Sequence, residues 1–181
     1  MRHLLPVLLL CLGCGPDTRP APESRADAPR LEGWPPLPEV ESRAVLRMLA
    51  IAEALPALPA ADGLAWAEQV FVPWMEQRQR ALGQAAELRR QARGESSSAK
   101  ALAVALHGAI LQRTFESLRD AHAERISPEA GEALEAPAAA LADKARRAYE
   151  VCHQLALDAG VALDGWRRAC DDHLGALPAD R

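Results

Sequence analysis

The sequence predicts an all-α fold, an antiparallel helical bundle that is four-helix-like with extra short helices, and three observations carry that expectation. Val, Ile and Thr together number 13 in 181 residues, too few for a sheet, which draws on β-branched and aromatic side chains. Ala, Leu, Arg, Glu and Gln are abundant instead, and these are the better helix formers. From Pro38 nearly to the end, apolar residues recur at helical spacing between Pro, Gly, Ser and Asp punctuation.

Element by element, the first helix is expected over Pro38 to Leu55, because proline suits a first helical position and Pro56 and Pro59 stop the helix. Asp62 is a fitting N-cap for the next segment, whose Leu64, Ala67, Phe71 and Trp74 share one side. Pro73 lies inside it and disfavours helical geometry at Val72, so a kink or restart is expected there. Helix then resumes to Arg93, with Gly94 as its stop. Arg78, Arg80, Arg89, Arg90 and Arg93 on this stretch read as a solvated face with cations near a helix C-terminus, rather than as a lipid or partner surface.

Ser96, Ser97 and Ser98 offer caps for a long helix to about Ile126, on which Leu102, Leu106, Ile110 and Leu118 fall close to helical spacing. Its first half is apolar nearly all round and belongs between neighbours in the core. Ser127-Pro128-Glu129 is the clearest start signal in the chain. Pro137 is expected to divide a short segment from the next helix, whose stripe is Leu141, Ala145, Ala148, Cys152, Leu155 and Ala159. Gly160 ends that helix, with Val161 supplying the hydrophobic contact of such caps. Asp164 is expected to cap a final helix from Gly165 to about Gly175.

Ahead of the helices, Leu4 to Leu12 is almost wholly apolar behind Arg2. That run is far short of the about 20 residues a spanning helix needs, so it reads as a secretory signal. It ends in Leu12-Gly13-Cys14, which resembles the lipobox of bacterial lipoproteins, with Cys11 standing where that family usually has Leu. The resemblance is confined to this N-terminal stretch. It implies a signal peptide over 1–13, lipidation of Cys14 as the mature N-terminus, and stable membrane anchoring by its acyl chains. Gly15 in place of Asp implies the outer membrane, facing the periplasm. Loss of Arg2 with the signal takes 21 basic side chains to 20 against 25 acids, a net charge of −5, which disfavours a nucleic-acid partner.

Residues 14–37 hold most of the seven prolines between Gly15 and Pro38 and read as a disordered tether reaching up to about 75 Å. Residues 38–181 read as the domain. Trp34-Pro35-Pro36-Leu37-Pro38 contains a PxxP spacing that suits an aromatic groove, although Trp34 is expected to pack on the domain's edge.

Two further cysteines remain. Cys152 stands eight residues before Gly160 and Cys170 six after Asp164, so they sit about 12 and 9 Å down the arms of a helical hairpin, nearly level and both inward. A disulfide is expected in an oxidising compartment, stabilising by roughly 3 kcal/mol. The rival reading gathers Cys152, Cys170 and His173 as ligands of a zinc-like site, with Asp171 and Asp172 as acids of an enzymatic or metal-handling envelope protein. It is disfavoured because His153 points about 100° from Cys152 and no fourth ligand is implied. Glu150 and His153 match the Glu-x-x-His spacing of di-iron bundles, but only once and with Glu150 turned outward. His107 and His122 share no ligand spacing.

No Gly-rich phosphate loop, Gly-x-Ser-x-Gly elbow, His-Glu-x-x-His or haem motif occurs. The expectation is therefore a non-catalytic binding or adaptor module without metal or cofactor, its envelope partner unassigned. At the level of architecture this is similar to the pilotins that escort secretion-system subunits to the outer membrane. Trp66, Phe71 and Trp74 are the aromatics suited to an exposed partner groove, with core packing as their alternative role.

Overall fold

The computed structural model describes residues 31–60, 65–121 and 127–179. Among them every regular element is helical: α1 (Arg43–Glu53), a π turn (Ala67–Phe71), α2 (Val72–Ala92), α3 (Ser97–Asp120), α4 (Pro128–Ala159), a 3-10 turn (Val161–Leu163) and α5 (Asp164–Ala176). The chain is thus an all-helical bundle. Its centre is α3, which packs against each of the other four α-helices.

That centrality follows from composition. Along α3 the run Ala101 to Leu106 is buried without interruption, as an element with no polar side must be. Ser96 starts it, its hydroxyl accepting from the Ala99 amide at 3.2 Å. Ser42 caps α1 in the same way through Val45, and Ser127 caps α4 through Ala130. The first helix begins at Arg43 rather than Pro38, with Ser42 in extended geometry at its cap and satisfying the otherwise free Val45 amide.

Three proline-bearing stretches differ from the sequence expectation. Val72 is helical, at φ −61° and ψ −51°, with its amide bonded to the Ala67 carbonyl, although a new element does start there as expected, the π turn giving way to α2 at Val72. The wider π turn places Pro73 at the start of α2, where a missing N–H costs nothing. Pro137 does not divide α4, which runs through it as one helix of 32 residues. Pro137 and Ala133, whose carbonyl the ring displaces, are both exposed, so the freed carbonyl faces solvent and costs little. The third departure is the Pro35–Pro38 segment, which lies on the folded body: Leu31 and Trp34 are core residues. The body thus includes residues assigned by sequence to the tether.

The α4–α5 connection is also rearranged. Gly160 ends α4 at φ 78°, a conformation that favours glycine, but Val161 is 89 % exposed and Leu163 is the residue driven into the core. Asp164 lies in the first turn of α5 and not at its cap. The two helices are antiparallel: Arg146 reaches the Pro178 carbonyl, Cys152 meets Cys170 and His153 meets Asp171. The Cys152 and Cys170 sulfurs are 2.08 Å apart, with Cα atoms 6.4 Å apart, within the span a disulfide bridges. No described helix is long and apolar enough to cross a membrane.

Candidate functional site

The segment before α1 folds back over the α4–α5 hairpin. Gly33, at φ 79°, makes the turn that lets the Trp34 amide bond to the Leu31 carbonyl at 3.0 Å. Trp34 then stacks on His173 at 4.6 Å between ring centroids and 13° between planes. Trp166 flanks it at 5.1 Å, and the Trp166 indole donates to the Pro36 carbonyl at 3.2 Å. Tyr149 lies beneath, 6.0 Å from Trp34.

Tyr149 is fully buried, and α3 makes room for it at Gly108, where a Cβ would stand 2.6 Å from the Tyr149 ring. Its hydroxyl donates to Gln112 Oε1 at 2.6 Å, and Gln112 Nε2 donates to Glu116 Oε1 at 2.8 Å. The chain of bonds satisfies a buried phenol and a buried amide, groups that are costly to leave unpaired. One residue along, Arg113 Nη1 donates to the Ala52 carbonyl at 2.8 Å, in the last turn of α1, where the helix dipole favours a cation.

Between these walls lies a recess of about 260 Å³. Trp34, Tyr149 and His173 supply its aromatic side, while Glu32, Arg113 and Glu116 supply its charges. Burial pushes the Tyr149 phenol well above its ordinary range, with Glu116 adding to the effect, so it remains a hydrogen-bond donor. Burial likewise holds His173 below its usual value of 6.5, against the pull of Glu116 and of a bond with the Gly33 backbone. His173 is therefore neutral at neutral pH. The geometry suits holding a small polar molecule.

A larger hollow of about 580 Å³ opens near the starts of α1 and α3, beside Glu39, Glu41, Glu95 and Ser96. Its Ser42 and Ser96 hydroxyls are both committed to capping.

The sequence-assigned residues fall as follows. Cys14, Asp62, Leu64, His122 and Ile126 lie outside the described residues. Cys152 and Cys170 are spent on each other, which removes the thiolates of the Cys152–Cys170–His173 metal reading, and no trio of metal-ligating side chains gathers among the described residues. Asp171 receives His153 Nδ1 at 2.6 Å and Arg167 at 3.4 Å, bracing α4 to α5, while Asp172 is exposed. Glu150 is exposed, away from any second carboxylate–histidine pair.

Trp66 and Trp74 line no open groove. Each is 6 % exposed, in a small cluster with Leu58, Leu118 and Ala121, and Phe71 packs half-buried against them. Their indoles donate to the Pro59 and Pro56 carbonyls, each at 3.1 Å. Arg78 is likewise absent from the solvated basic face: it is 1 % exposed, lies over the Trp74 ring at 4.8 Å and donates to the Pro56 carbonyl.

Sequence reasoning missed Tyr149, Gln112, Arg113, Glu116 and Glu32. A usable signal was the only tyrosine of the chain, three residues before Cys152 on an inward stripe, with Gly108 alone among apolar residues of α3. No protein-family model, curated protein or solved structure matches this chain.

Proposed function

We propose that the protein is a lipid-anchored binding module of the bacterial cell envelope, attached through Cys14, facing the periplasm from the outer membrane, and acting by holding a partner rather than by catalysis. The single observation that carries this reading is the fully buried Cys152–Cys170 pair at bonding distance. Such a bond persists in an oxidising compartment, in keeping with a lipobox-like Leu12-Gly13-Cys14 at the end of a short apolar run. The acyl chains supply the membrane affinity, and the Pro-rich residues after Cys14 set the reach.

Fractionation of cells expressing the full chain tests this. Wild type is expected in the outer-membrane fraction and Cys14→Ser in the soluble periplasmic one. Retention of Cys14→Ser in the membrane, or its presence in the cytosol with Cys152 and Cys170 reduced, overturns the reading.

A further inference from the structure

We infer that the recess beside Trp34 is a binding site for a small organic cation carried on an aliphatic stem: a primary ammonium, as a free amine or as the lysine side chain of a partner. The inference goes beyond the envelope reading, since it depends on neither the lipid nor the compartment.

Charge is the first argument. Glu32 comes from the segment before α1 and Glu116 from α3, so two carboxylates from separate elements face one small space. Among the described residues neither is in a salt bridge; Glu116 accepts only the neutral amide of Gln112. The one permanent cation of the lining, Arg113, is tied to the Ala52 carbonyl. His173 is neutral, so the recess keeps one negative charge in excess. An incoming ammonium would meet an acceptor already aimed, because the Tyr149–Gln112–Glu116 chain fixes Glu116 in place. Bonds to an ionised acceptor are stronger than neutral ones.

Size and lining are the second argument. At about 260 Å³ the recess falls just below the range of roughly 300–1,000 Å³ that accommodates drug-sized ligands. It suits a chain of a few carbons and excludes a folded element of a partner. Trp34 offers aromatic surface to methylene groups, with the buried Tyr149 ring behind it, and aromatic rings attract a cation electrostatically.

The experiment is titration calorimetry of the purified full-length protein with cadaverine, with Nα-acetyl-lysine methylamide, and with glutarate as a chain of matched length and opposite charge. Saturable binding of at least one amine and none of glutarate is expected. Glu116→Gln and Glu32→Gln are each expected to weaken it about tenfold or more, as loss of a charged hydrogen bond does. Glu32 is exposed, so Glu32→Gln keeps the test valid should Glu116→Gln disturb folding. Tighter binding of cadaverine assigns the site to free amines, and tighter binding of the lysine derivative assigns it to a partner's side chain. Binding of glutarate as well as the amines, no binding of either amine, or amine affinity unchanged in the folded glutamine variants overturns the inference. None of those failures alters the Cys14→Ser fractionation.

Discussion

Two aromatic clusters share this bundle and hold their tryptophans by different means. Around Trp34 and Trp166 the rings stack on one another and on His173, the nearby helices are joined by Cys152–Cys170, and the polar groups form a closed chain from Tyr149 through Gln112 to Glu116. Around Trp66 and Trp74 there is no covalent tie. The indoles reach loop carbonyls, and Arg78 is buried with Nε and Nη1 unpartnered. Burial, with Arg113 nearby, holds the Arg78 guanidinium down at about 10, which marks a charge poorly compensated by its surroundings. The contrast is between a buried polar network whose members are paired and a buried guanidinium that is paired only in part. The satisfied network lines the recess, whereas the incomplete one leaves a buried charge only partly paired.

Replacing Trp34 by Ala is expected to have the largest effect, a loss of about 4 kcal/mol in chemical denaturation, because it removes the stack on His173 and releases the segment from Leu31 to Pro38. Faster proteolysis within 31–38 should accompany it. A loss below about 1 kcal/mol would mean that the segment is held without its tryptophan.

Opening Cys152–Cys170 by reduction should lower stability by roughly 3 kcal/mol, read as a shift in denaturation midpoint between oxidised and reduced samples. If the indole contacts of the other cluster are independent, the additional cost of Trp74→Ala should be the same in both states.

Acid should act mainly through α3. Burial, with Arg89 and Lys144, holds His107 down at about 4 against an ordinary 6.5. Between those values the unfolded chain takes the proton and the folded one resists it, so stability complete above 6.5 declines as pH falls to about 4. The decline should be about 2 kcal/mol after allowing for partial solvent access. His107→Gln should flatten that part of the stability–pH curve, and an unchanged slope would assign it to other groups.

The smallest change is expected at Arg78→Met, from no effect to about 1 kcal/mol of added stability. The Pro56 carbonyl would still accept from Trp74. A clear loss would instead make the guanidinium the clamp of the Pro56 loop.

Local signals were legible and distant ones were not. Ser96 and Ser127 mark helix starts because a hydroxyl three residues ahead of an amide is a property of neighbours in sequence. The Cys152–Cys170 pair is legible because one short hairpin fixes both depths. Pro137 and Val72 mislead because the outcome depends on what surrounds the ring: solvent at the first, and the π turn preceding Pro73 at the second. The recess was hidden for a different reason. It joins Gly33, Gln112, Tyr149 and His173 from four separate stretches, and no spacing within any one of them announces the others.

Trp34 and its partners also set an order of assembly. Trp34 precedes every described helix, while Trp166 and His173 belong to α5, the last of them, and the Trp166–Pro36 bond spans 130 residues. The leading segment must therefore wait until α5 has been made before it has a surface to dock on. Closing so long a loop comes late and slowly. A chain truncated before α5 would lack the partners of its own leading tryptophan.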